Sequence, residues 1–217
     1  FTPSGLLSGT LHEYAIVATD GASNSATTAV QEFTTNALST FYVSPTGSGS
    51  TCSSGAPCAL SVISASSEPR PSIGETWLLK DGTYSVTTGT AVRINCATTN
   101  VNGTASQPIT LKAENERQAF IEGDGSALPF GVEGCSYWIF EGIRVKNADN
   151  ANNTNSRDGQ VVELRDSGNL TMKRMLVSHN NRYANASCLY LHNTDNSLLE
   201  ENEVYFWYPR TGDAGEM

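Results

Sequence analysis

The sequence predicts an all-β chain, a solenoid of stacked strands preceded by a shorter run of ordinary β-strands. Three observations predict it. Residues 161–180 and 188–207 share one rhythm at a spacing of 27, so that Val162, Leu164, Leu170, Met172 and Val177 fall on Leu189, Leu191, Ser197, Leu199 and Val204. Four of those five pairs are apolar on both sides, as expected of repeats that stack to share one core. One turn earlier, a spacing of 32 brings Phe130, Val132, Trp138, Phe140 and Val145 into the same columns, and the five extra residues fall in the polar insert "NADNANNTNSRDG". A surface loop absorbs such an insert at little cost. Finally, the gaps between strands carry no amphipathic helical pattern, which excludes a doubly wound α/β fold.

The elements follow in chain order. "LHEYAIVATD" reads as a strand with Tyr14, Ile16 and Ala18 on one face and Ala15, Val17 and Thr19 on the other, ended by the turn residues "DGASNS". "AVQEFTT" is a second strand. Tyr14, Ala18, Asp20, Asn24, Phe33, Thr34 and Thr35, with Ile16 where valine is usual, resemble the last third of a fibronectin type III domain. That resemblance implies that residues 1–36 end a β-sandwich module of the kind that spaces catalytic or binding domains. Residues 37–40 are read as a linker.

From Phe41 the pattern changes. "FYVSPTGSGS" is a strand and a Gly/Ser loop, "CALSVISASS" makes a short helix, and "GETWLLKDGTYSV" is strand, Asp81-Gly82 turn, strand. "GTASQPITLKAE" supplies another strand around Ile109 and Leu111. Leu78 to Tyr84, "LLKDGTY", with the strand Pro108 to Lys112, resemble the opening of the right-handed parallel β-helix proteins of the pectate-lyase-like superfamily. The resemblance extends over roughly residues 41–210. It implies that residues 41–217 are the N-terminal coils of a right-handed parallel β-helix whose first coil is capped by the short helix. Asn169 and Asn196 share a column just before a strand, where stacked amides are expected to bond coil to coil.

Composition bounds the function. With 13 basic against 22 acidic residues the net charge is -9, and no Lys/Arg run exists. Nucleic acid is therefore excluded as a partner, since phosphate neutralisation needs clustered cations. No apolar stretch reaches the ~18 residues that begin to span a membrane. Cys52 and Cys58 flank the turn-rich "SSGAP" and are expected to close a small disulfide loop. Five cysteines without CxxC or zinc spacing, in an Asn/Ser/Thr/Gly-rich chain, point to a secreted or cell-surface protein. The chain starts at Phe1 and ends on "RTGDAGEM", and is read as a piece cut at both ends.

The outward columns carry the charges. Glu141, Lys173 and Glu200 form one; Glu133, Arg165 and His192 another; Arg144, Leu176 and Glu203 a third; and Arg174 sits over Glu201. Alternating signs avoid the repulsion of stacked like charges, so one reading is a ladder of surface ion pairs. The superfamily resemblance implies another, a polysaccharide lyase acting by β-elimination on acidic glycans. That chemistry needs a base for the C5 proton and a cation on the adjoining carboxylate. Lys173 or Arg174 is then the base. Glu163, Asp166, Glu200 and Glu201 offer oxygens for a Ca²⁺ ion. His179, at a strand end beside Arg182 and Tyr183, forms with them a cluster suited to sugar, and Trp207 and Arg210 a stacking platform.

The chain departs from the lyase signatures of the superfamily. Against a signature of asparagine–glycine–x–glutamate followed by isoleucine–arginine, "RDGQVVELR" has Asp158 and Gly159 but then Gln160, with Glu163 near the arginine's place, and the paired aspartates of polygalacturonase-type hydrolases are missing. The alternative is a non-catalytic solenoid, monomeric like the enzyme reading, that binds glycan at the cell surface.

Overall fold

The computed structural model describes residues 11–34, 39–87, 91–99, 101–148, 160–179 and 187–206. It is all-β with parallel sheets and divides into two compact units, Phe1–Ser39 and Thr40–Met217.

In the first unit, β1 (Leu11–Tyr14) pairs antiparallel with β4 (Gln31–Thr34), and β2 (Val17–Thr19) with β3 (Ser25–Thr27). The strand expected across "LHEYAIVATD" is interrupted at Ala15 and Ile16, where the Ile16 amide donates to Thr28 Oγ1 at 3.0 Å. The turn that follows is organised by Asp20. Its carboxylate accepts from the Ala22 and Asn24 amides, each at 2.9 Å, and from the Asn24 side chain. Those bonds, the Asn24 side chain foremost, hold the Asp20 carboxyl below its ordinary range. Ile16, Val17 and Val30 stay 60% exposed, so this unit buries little apolar surface of its own.

The second unit begins with β5 (Thr40–Val43), β6 (Thr76–Leu79), β7 (Gly82–Val86) and β8 (Val92–Asn95). A four-residue helix, α1 (Cys96–Thr99), leads on to β9 (Ile109–Ala113), β10 (Ala119–Gly123) and β11 (Phe130–Glu133). The chain continues with β12 (Trp138–Glu141), β13 (Arg144–Asn147), β14 (Gln160–Arg165), β15 (Thr171–Lys173) and β16 (Leu176–His179). It closes with β17 (Ser187–His192), β18 (Leu198–Glu200) and β19 (Glu203–Phe206).

These strands build three parallel sheets. One has six strands in the order β5-β6-β9-β12-β15-β18, one five in the order β7-β10-β13-β16-β19, and one four in the order β8-β11-β14-β17. From β6 onward, successive strands join the six-, five- and four-stranded sheets in strict rotation. β6 and β7 therefore do not pair with each other, and the Asp81-Gly82 turn is a corner between sheets, pinned by the Tyr84 hydroxyl 2.9 and 2.8 Å from the Val43 and Lys80 carbonyls.

The register is the one read from periodicity. Phe130 pairs with Val162 and Val162 with Leu189; Phe140 with Met172 and Met172 with Leu199; Val145 with Val177 and Val177 with Val204. Each column stacks like side chains into a continuous core, in which Trp77, Leu111, Phe140 and Met172 of one column are all at most 1% exposed. Burying each such side chain stabilises by about 1.5–3 kcal/mol. The short helix of "CALSVISASS" is a 3-10 helix, Leu60–Ser64, packed on β8 with Ile63 buried.

Corners repeat as faithfully as strands. Gly134, Asp166 and Asn193 stack with φ of 66°, 48° and 47°; Tyr137, Asn169 and Asn196 with 58°, 54° and 45°; Gly142, Arg174 and Glu201 with 65°, 52° and 53°. Left-handed backbone at non-glycine residues costs about 1–2 kcal/mol. The stacked strands on either side hold it in place. The expected Asn169–Asn196 amide ladder does not form among the described residues, because both side chains are exposed. Ser167 and Ser197 bridge the coils instead, their hydroxyls accepting from the Cys135 and Leu170 amides at 3.1 Å. Asn202 does the same, accepting from the Met175 amide at 2.9 Å and donating to the Met172 carbonyl at 2.8 Å.

Two disulfides are present. Cys52–Cys58 closes the expected small loop, and Cys96–Cys135 joins α1 to the corner after β11. Cys188 is free and buried.

Candidate functional site

Alternation along parallel strands sends every second side chain away from the core. On the six-stranded sheet this produces the outward column Lys112–Glu141–Lys173–Glu200, alternating in sign over four strands. Lys173 Nζ lies 3.2 Å from Glu141 Oε2, and Arg174 Nη2 bonds Glu141 Oε1. Arg174 also lies 3.4 Å from Glu116 and 3.9 Å from Glu201, while Arg117 reaches Glu203 at 2.6 Å. A depression of about 190 Å³ opens beside Arg174, walled by Lys112, Glu114, Glu116 and Glu141. Both groups expected to act as base thus sit in ion pairs. Each pair is part exposed and worth about 1 kcal/mol or less.

The four-stranded sheet presents a different face. Its outward columns are Arg93–Gly131–Glu163–Tyr190 and Asn95–Glu133–Arg165–His192. β14 is buried on both faces from Gln160 to Leu164, so Glu163 is only 3% exposed although it points away from the core. A buried carboxylate requires a counter-charge. Arg165 supplies it, with Nη2 at 2.6 Å and Nε at 2.8 Å from the same Glu163 oxygen. That hydrogen bond, ahead of the opposing desolvation, raises the guanidinium further above its ordinary value.

Arg165 lies over the Tyr190 ring, 5.9 Å from its centroid, and Tyr190 stacks with His192 at 6.3 Å and 16° between planes. His192 Nδ1 is 3.7 Å from Asp166, which accepts from Asn193 Nδ2 at 2.9 Å. Between the columns is a depression of about 300 Å³, lined by Arg93, Asn95, Gly131, Glu133 and Glu163. Gly131 matters here: a Cβ would come within 3.1 Å of Leu128 and 3.4 Å of the Arg93 side chain, which crosses it. The volume is at the lower end for a ligand pocket, about 300–1,000 Å³.

The sequence-predicted residues are therefore separated. Lys173, Arg174, Glu200 and Glu201 belong to the six-stranded sheet and its corner; Glu163 and Asp166 to the four-stranded one. His179 ends β16 in the five-stranded sheet, fully buried and opposite Asn147 in register, rather than displayed on a loop. Arg182, Tyr183, Trp207 and Arg210 lie outside the described residues. The carboxylates expected to hold Ca²⁺ do not converge. Glu163 is occupied by Arg165, Asp166 faces Asn193 and His192, and Glu201 lies near Arg174. Among the described residues no three His, Cys, Asp or Glu side chains form a metal-sized group.

Sequence reasoning missed Arg93, Gly131 and Tyr190. Tyr190 alternates with Leu189 and Leu191, and that alternation was the available signal that it points outward. Gly131 gave none, since only the register sets it between Arg93 and Glu163.

Compared with family models, with curated proteins and with solved structures, the chain matches none.

Proposed function

We propose that the second unit is a right-handed parallel β-helix, the first the end of a fibronectin type III-like module, and the whole an exported, monomeric, carbohydrate-active protein of the polysaccharide-lyase kind acting on acidic glycans. The rotation of strands through three parallel sheets supports the helix, the two antiparallel pairs support the module, and the two disulfides support export.

The observation that carries the functional reading is on the outward face of the four-stranded sheet, where Arg165 bonds Glu163, a residue of the depression's wall, and lies over the Tyr190 ring. In this reading the sugar ring stacks on Tyr190 and its carboxylate is held by Arg165, which stabilises the enolate as the α-proton leaves. His192, oriented by Asp166, takes that proton. The C4–O bond then breaks, the leaving oxygen takes a proton back from the protonated His192 and departs as the hydroxyl of the released chain, and a new C4–C5 double bond remains.

A second reading, non-catalytic glycan binding, is favoured by the ion pairing on the other outward face, where Lys173 and Arg174 both lie against Glu141. One experiment separates the readings. Pectate, alginate and chondroitin are each incubated with the protein while ultraviolet absorbance from new double bonds and co-sedimentation with the polymer are followed. Rising absorbance that is lost in His192→Gln, with co-sedimentation retained, supports the lyase. Co-sedimentation without absorbance leaves the binding solenoid, and neither signal on any of the polymers refutes both. Lys173→Ala tests the location: loss of the signal there, and not in Arg165→Gln, would move the site to the six-stranded sheet.

A further inference from the structure

We infer that the depression on the six-stranded sheet is a second anion subsite, in which the Lys112 ammonium holds one carboxylate of an acidic glycan. That the carboxylate belongs to a glycan rests on the polysaccharide reading above; that the depression takes a carboxylate does not.

Lys112 is the cation that the charged column leaves over. Its neighbours across the sheet are Leu78, which carries no charge, and Glu141. Both oxygens of Glu141 are held by the next coil, Oε2 by Lys173 at 3.2 Å and Oε1 by Arg174. The other carboxylates in the wall are held as well. Glu114 lies 3.8 Å from Lys80, and Glu116 lies 3.4 Å from Arg174 and 3.9 Å from Arg117. Lys112 itself makes no ion pair or hydrogen bond with any described residue. A half-buried ammonium without an acceptor is costly, and it keeps three N–H donors for one. The depression also lies where a side chain is missing. In the corner column Gly142–Arg174–Glu201 only Gly142 lacks one, and a Cβ there would meet the Glu116 side chain at 3.4 Å. At about 190 Å³ the depression is smaller than a whole-ligand pocket of ~300–1,000 Å³, and it suits one charged group of a larger molecule.

The test titrates the whole isotope-labelled chain with galacturonate, and separately with uncharged galactose, at constant ionic strength and without polymer. Galacturonate is expected to shift the amide resonances of Ala113 and Gly142 saturably, and galactose is not. Lys112→Gln should weaken that binding about tenfold, a charge-assisted hydrogen bond being worth roughly that, while Lys112→Arg keeps it. Because Lys112 bonds no described residue, Lys112→Gln should melt within about 2 °C of wild type, which separates lost binding from lost fold. No saturable shift in wild type overturns the inference. So does an equal shift with galactose, a shift that survives Lys112→Gln, or one lost equally in Lys112→Arg.

Co-sedimentation with pectate, alginate and chondroitin is then compared between wild type and Lys112→Gln. On the polymer that wild type binds, the variant is expected to need about tenfold more for half-saturation. An unchanged requirement overturns the glycan half. No co-sedimentation of wild type with any of the three refutes the polysaccharide reading, while the galacturonate shifts still decide the subsite.

Discussion

Glu201 shows how a single residue carries the cost of repetition. It occupies a left-handed corner, φ 53°, beneath Arg174 and Gly142, and its own ion pair is long at 3.9 Å. Glu201→Gly is expected to stabilise the fold by about 0.5–1 kcal/mol, because glycine pays no Cβ penalty there; a rise in the urea midpoint checks it. Cys188 is a different case. Burial pushes its thiol from an ordinary 9.0 to about 12. A group that holds its proton more tightly when folded contributes stability in full below the unfolded value and loses it as pH rises through the folded one. Stability should therefore decline between about pH 9 and 12, with the buried Tyr84 hydroxyl, also raised, adding to the decline. Urea midpoints taken across that window measure the decline, and Cys188→Ala should flatten part of it.

At the scale of elements, the corners do what long loops cannot. Asn202 ties β18's corner to the preceding coil by two bonds, one given and one accepted. Asn202→Ala removes both and leaves a backbone N–H and a C=O without partners, at an expected cost of about 2 kcal/mol in chemical denaturation. The charged column of the six-stranded sheet behaves differently. Its pairs are individually small, and their alternating sign keeps like charges from stacking. Salt should weaken the little these pairs contribute.

Across the molecule, stability is distributed along the stack, each coil leaning on its neighbours. Between flanking coils Phe140 and Leu164 are fully buried; in the last described coil, Leu199 and Val204 of the core columns are 42% and 44% exposed. The Cys96–Cys135 disulfide closes a 39-residue separation between α1 and the next coil. On loop-closure grounds its loss costs about 4 kcal/mol. Cys96→Ser with Cys135→Ser should therefore lower the melting temperature by roughly 8–16 °C for a domain of this size, read by calorimetry.

Periodicity was enough to set the stack: Val162 over Phe130 and Leu189 over Val162 follow from spacing, because parallel strands place like positions together and only apolar columns can be shared as core. The outward columns followed from the same register, which is why Glu141–Lys173–Glu200 and Glu133–Arg165–His192 were legible. Their consequences were not. Whether an outward carboxylate is solvated or buried depends on what covers its sheet. Glu163, alike in sequence to any surface acid, lies under cover with Arg165 beside it. His179 reads as the strand end it is, but not as core, since its burial is set by residues packed around it and not by its own strand. The left-handed corners at Tyr137, Arg174 and Glu201 carry no glycine signal, because neighbouring coils, not local preference, impose them. Local pattern reports which way a side chain points, while its burial and partners are set by residues brought in from other coils.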